Sequence, residues 1–121
     1  MSMGKSTDQI TIWHNPRCKK SRETLKIIED AGHIPHVRKY LQDPPSEREL
    51  ASVLKQLEIQ PKDLIRTNEK VYKEEFKGKE FSDHEWISIM IHNPKLIERP
   101  VVTHNGKSII GRPPENVKTL L

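Results

Sequence analysis

The chain has 121 residues, enough for one small domain and little more. Hydrophobic residues make up 33% and charged residues 31%, polar against the about 45–50% and about 25% of ordinary domains; the apolar positions are nonetheless periodic, which argues against disorder. The 21 basic and 17 acidic side chains leave a net charge of +4, which suits an anionic substrate or partner without requiring nucleic acid. The longest apolar stretch, around Trp86 to Ile91, is far shorter than the about 18 residues of a membrane span. No basic-then-apolar leader precedes the first strand, so the expected location is cytoplasmic. One cysteine, Cys18, excludes an internal disulfide and any zinc site built on paired cysteines. The six histidines are scattered without ligand spacing, and no metal is expected.

In chain order, Gly4-Lys5-Ser6 is superficially like a phosphate loop. It lacks the earlier glycine and precedes a strand, where a phosphate loop follows one. Residues 1–9 therefore read as a flexible leader and residues 10–121 as a single domain. Ile10-Thr11-Ile12-Trp13 alternates and is β-branched, as a strand is, and Asn15-Pro16 ends it. A helix follows with Ser21, Leu25, Ile28 and Ala31 near one face, stopped by Gly32. After Pro35, His36 to Tyr40 reads as a second strand, parallel to the first through a right-handed crossover. Pro44-Pro45 breaks the chain, and Ser46 with Glu49 forms a capping box before Leu50, Val53, Leu54 and Leu57. Pro61 starts a short helix through Leu64 and Ile65 to Arg66. A second capping box, Ser82 with Glu85, precedes Trp86, Ile87, Ile89, Met90 and Ile91, and that helix ends before Pro94. Pro100 to His104 and Lys107 to Ile110 flank Asn105-Gly106, a strong hairpin signal. Pro113-Pro114 opens a closing helix through Val117 to Leu121. The order β-α-β, helical insertion, β-β-α is that of an α/β, thioredoxin-like fold.

Cys18 falls where a loop becomes a helix. The free N–H groups and partial positive charge of a helix start favour a thiolate over a thiol. Arg17, Lys19, Lys20 and Arg22 surround it, although cations in a first turn oppose the dipole at about 0.3–1 kcal/mol each. A lone cysteine is usually a small buried hydrophobe; this setting instead suits an anion, a thiolate or an oxyanion, and marks Cys18 as a nucleophile. His14, four residues earlier, either lowers the thiol's proton affinity as an imidazolium, takes its proton as a neutral base, or only orders the loop. Ser21 either donates to the thiolate or bonds its own backbone. Two Arg-Pro pairs bracket the hairpin, Arg99-Pro100 and Arg112-Pro113. Guanidinium forks bind tetrahedral oxyanions in a way lysine cannot copy. Arg99-Pro100 also occupies the slot before the third strand where thioredoxin-like folds carry a cis bond. Arg66 is a third candidate.

These residues carry a family resemblance. Ile12 to Leu25, with His14-Asn15-Pro16-Arg17-Cys18 at its centre, resembles the active-site signature of the glutaredoxin-coupled arsenate reductase (ArsC) family. The match continues in Tyr40 to Pro45, Leu64 to Glu69, Ile97 to Val102 and Gly111-Arg112-Pro113, from about Ile10 to the C-terminus. Lys19-Lys20, where Gly-Thr is frequent, and an end at Leu121 are similar to a shorter subgroup. The resemblance implies Cys18 as nucleophile, His14 and Ser21 supporting its thiolate, and Arg66, Arg99 and Arg112 as the oxyanion-binding trio. It further implies arsenate reduction through a cysteine–arsenic adduct, with glutathione as co-substrate, glutaredoxin as partner and no tightly bound cofactor. Because the chain has no second cysteine, the other thiol must come from outside it.

Two other functions use parts of the same pattern. A glutathione-linked thiol-disulfide reductase would employ the same Cys18 on disulfides. An Spx-like regulator binding RNA polymerase shares the fold, but its Cys-x-x-Cys switch is impossible with serine at position 21.

Overall fold

The computed structural model describes residues 9–121. Gly4-Lys5-Ser6 and the leader up to residue 8 lie outside the described residues. The chain divides into two compact units. One comprises the residues up to Asp43 together with Arg99–Leu121, and the other is Pro44–Glu98.

The first unit holds β1 (Thr11–Trp13), α1 (Lys19–Asp30), β2 (His36–Arg38), β3 (Val101–His104), β4 (Lys107–Ile110) and a closing 3-10 helix, Pro114–Leu120. The sheet order is β2-β1-β3-β4, with β1 parallel to β2 and antiparallel to β3, and β3 antiparallel to β4. This is the α/β, thioredoxin-like arrangement expected from the order of elements. In register, Ile12 faces Val102, which faces Ile109, so the period-two alternation puts all three on one side of the sheet. Ile10, Ile12, Ile28, Val102, Val117 and Leu120 form the core there, with Leu25, Ile27 and Ile109 packed against them. The hairpin turns as its sequence demands: Asn105 and Gly106 both have positive φ, 52° and 77°, the requirement of the tight turn whose twist matches the strands.

Three details differ from expectation. β2 stops at Arg38 rather than Tyr40 because the N–H groups of Gln42 and Asp43 both donate to the Lys39 carbonyl, at 3.0 and 2.9 Å, turning the chain there. The buried face of α1 is Ser21, Thr24 and Ile28, whereas Ala31 is exposed at the C-cap. Thr24 tolerates burial because its hydroxyl donates to the Lys20 carbonyl at 2.8 Å. The closing helix is of the tighter 3-10 kind. Asn116 and Leu121 donate to the carbonyls of Pro113 and Lys118, three residues back, and the Thr119 hydroxyl takes the Asn116 carbonyl at 2.9 Å.

The second unit holds α2 (Glu47–Leu57), α3 (Asp83–His92), the 3-10 turns Pro61–Leu64 and Pro94–Leu96, and a wide π turn, Tyr72–Phe76. Ser46 with Glu49 and Ser82 with Glu85 form the two expected capping boxes. Tyr72 stacks on Trp86, whose ring takes the edge of Phe81 at 4.8 Å, and Phe76 meets Phe81. Aromatic pairs of this kind add about 0.5–1.5 kcal/mol beyond their buried area. Ile65 and Ile97 pair as a short antiparallel bridge. Around it Arg66 N–H donates to the Leu96 carbonyl and Glu98 N–H to the Leu64 carbonyl, both at 2.8 Å.

Candidate active site

The loop between β1 and α1 is built from its own hydrogen bonds. His14 N–H extends the β1–β2 ladder by donating to the Arg38 carbonyl at 2.8 Å. The Asn15 side chain then accepts from Arg17 N–H at 3.0 Å, the local turn that asparagine favours. The Asn15 carbonyl accepts Cys18 N–H at 2.9 Å, and the Arg22 guanidinium ties the Pro16 carbonyl at 2.9 Å. The result delivers Cys18 to the N-cap of α1, with extended backbone angles (φ −95°, ψ 121°) and a side chain that makes no capping bond. The thiol is largely buried, 8% exposed.

His14 and Ser21 are both buried and lie together, His14 Nδ1 2.6 Å from Ser21 Oγ. The same hydroxyl accepts Asn15 N–H at 3.1 Å. The Ser21 hydroxyl thus joins the His14 ring to the Asn15 backbone. Electrostatics favour the neutral imidazole. Burial first, then the charges of Lys39 and Arg22, push His14 below its ordinary 6.5, against a small opposing pull from Glu29. Of the three readings of His14, the imidazolium is thus disfavoured. The Ser21 hydroxyl is taken up by His14 and Asn15 rather than by the Cys18 sulfur. The pair fixes the loop that carries the thiol.

The other side of the thiol comes from the far end of the chain. Arg112 donates through a terminal guanidinium nitrogen to Cys18 Sγ at 3.8 Å and through Nε to the Arg99 carbonyl at 2.9 Å. The two arginines singled out at the ends of the hairpin therefore touch, through the backbone of one and the fork of the other. Both Arg99-Pro100 and Arg112-Pro113 are cis; the first was expected, the second was not. Gly111 sets how closely this end of the hairpin approaches α1. A β-carbon there would lie 2.5 Å from Thr24 Oγ1 and 2.7 Å from Pro100 Cγ. Gly111 N–H meanwhile donates to the Pro100 carbonyl at 2.9 Å.

Arg66 lies in the second unit. Its guanidinium bonds Glu69 closely and reaches Glu98 at 3.6 Å, so carboxylates already occupy its fork. Sequence reasoning missed both partners, although Glu69 follows Arg66 by three positions. It also treated Asn15 only as a turn residue, whereas its side chain, carbonyl and N–H each hold part of the loop.

The ArsC family pattern matches residues 13–120. An uncharacterized protein of Escherichia coli K12 is 45% identical over 113 residues, covering 92% of this chain and 95% of that one. An arsenate reductase of Haemophilus influenzae is 40% identical over 114 residues, covering 93% and 98%. The structure of an arsenate reductase from Vibrio cholerae superposes with a TM-score of 0.90 at 43% identity, covering 95% of this chain and 99% of that one. The chain belongs to the ArsC family.

Proposed function

We propose that the protein reduces arsenate to arsenite in the cytoplasm, with the Cys18 thiolate as nucleophile and glutathione with glutaredoxin as reductant. The observation that carries this reading is the Arg112 guanidinium beside the sulfur of Cys18, in a chain related to named arsenate reductases. The sulfur sits at the N-cap of α1 with the Arg112 guanidinium 3.8 Å away. The Arg112 fork, steadied through Nε on the Arg99 carbonyl, places positive charge and N–H donors where a tetrahedral oxyanion must sit to meet the sulfur. Arg99, whose carbonyl holds that fork, is the second guanidinium assigned to the anion in this reading. His14 and Ser21 act as positioning residues that hold the Asn15–Cys18 turn.

Cys18 Sγ attacks arsenic, a sulfur–arsenic bond forms, and one oxygen leaves as water after protonation. The sulfur of glutathione then attacks Cys18 Sγ. A disulfide forms, the sulfur–arsenic bond breaks, and its electron pair stays on arsenic, which passes from the pentavalent to the trivalent state. Glutaredoxin takes the glutathione from Cys18 by thiol–disulfide exchange and restores the thiolate. Arsenate-dependent oxidation of NADPH, coupled through glutathione, glutaredoxin and glutathione reductase, tests this. Turnover is expected, and Cys18→Ser is expected to reduce it to background.

The pairing of Arg66 with two carboxylates favours a second reading, a glutathione-linked thiol-disulfide reductase that needs no oxyanion trio. Absence of arsenate turnover, with Cys18 still exchanging with glutathione disulfide, would select it.

A further inference from the structure

Three cations flanking the thiol have no part in the chemistry above. Arg17, Lys19 and Lys20 are exposed, and among the described residues none of them enters an ion pair. Lys19 and Lys20 are the first two residues of α1, whose first turn has no acidic side chain. Positive charge there opposes the helix dipole, so helix stability does not explain it. Arg112 on Cys18 Sγ accounts for one anion at the thiol. The flanking cations are additional charge, carried on flexible stems at the surface.

We propose that Arg17, Lys19 and Lys20 form a cationic rim that seats the carboxylates of glutathione while its sulfur exchanges with Cys18. This rests on the glutathione-linked chemistry proposed above and makes the three side chains specificity-determining for an anionic thiol. Solvent-exposed charge pairs are individually weak, so the rim acts chiefly on the rate at which an anionic partner arrives in reacting orientation, an effect that salt screens.

The exchange can be isolated from arsenate. The Cys18 thiolate attacks one sulfur of a symmetric disulfide, a mixed disulfide forms, and the other half leaves as a thiolate. Rates are measured for the whole protein with anionic glutathione disulfide, neutral 2-hydroxyethyl disulfide and cationic cystamine, alongside the Arg17→Gln/Lys19→Gln/Lys20→Gln variant. The ratio of the glutathione disulfide rate to the 2-hydroxyethyl disulfide rate is expected to fall about fivefold in the variant. The corresponding cystamine ratio should rise, and both differences should shrink in high salt. Because the replaced charges oppose the dipole of α1, the variant should melt no lower than the parent. Unchanged ratios would overturn the proposal, as would equal slowing with all three disulfides, which would mean a general effect on the thiol. The ratios are independent of arsenate turnover, so failure of arsenate reduction and failure of the rim give different results.

Discussion

At the residue scale, the contact between Arg112 and Cys18 asks one side chain to do two things at once. Its Nε holds the Arg99 carbonyl while a terminal nitrogen reaches the sulfur. A lysine offers a single point charge and cannot span both partners. Arg112→Lys is therefore expected to lower kcat/KM for arsenate roughly tenfold, about 1.4 kcal/mol of transition-state binding, with little change in melting temperature. An unchanged kcat/KM would remove the fork from the site. His14 makes a prediction about pH. Burial holds it below 6.5 in the folded chain, so between that lowered value and 6.5 the unfolded chain binds a proton that the folded chain refuses. Its contribution is full above 6.5 and is lost as pH falls through the window beneath. Urea midpoints taken at about pH 7.5 and about pH 5.5 should drop further for the parent than for His14→Gln; equal drops would show that His14 carries no such linkage.

At the scale of elements, α1 and the hairpin meet at a point where only hydrogen fits. Gly111→Ala brings a β-carbon against Thr24 and Pro100, and overpacking of this kind costs about 1–3 kcal/mol. That outweighs the roughly 0.4–1 kcal/mol an alanine gains by restricting the unfolded chain. The variant should unfold at lower denaturant and also lose turnover, since Arg112 is the next residue. Full activity with a lowered midpoint would separate packing from positioning. This contact was invisible in the sequence because a glycine reads first as punctuation, and Gly111 stood where a strand ends. The buried threonine it touches was equally hidden, as a polar residue whose hydroxyl is satisfied inside its own helix. What was legible was local. Asn105-Gly106 specifies its own turn, Ser46 with Glu49 and Ser82 with Glu85 specify helix starts, and Asn15-Pro16 before Cys18 marks the loop that becomes α1. The π turn at Tyr72–Phe76 left no periodic signature. Glu98, one of the two acidic partners of Arg66, is brought in by a bridge between Ile65 and Ile97 that no short-range pattern contains.

At the scale of the whole molecule, the sheet-bearing unit is made from the two ends of the chain, and its core closes with the last helix. Val117 and Leu120 are fully or nearly buried in it. Burying such side chains is worth about 1.5–3 kcal/mol each, against a total stability of about 5–15 kcal/mol. A chain ending at Pro113 keeps every candidate catalytic residue and loses both. It is expected to unfold without a sharp thermal transition, as read by circular dichroism. A cooperative melt near the parent's midpoint would show that the closing helix is dispensable.

Cys18 and Arg112 stand 94 positions apart in the chain, and that separation orders events during biosynthesis. Translation runs from the N-terminus, so the thiol emerges from the ribosome long before the guanidinium that will meet it has been polymerised. A nascent or interrupted chain thus carries the cysteine without the hairpin end and without the guanidinium that contacts its sulfur. The site comes into being only once Arg112 has been added, and an active thiol is itself a record that translation passed that position.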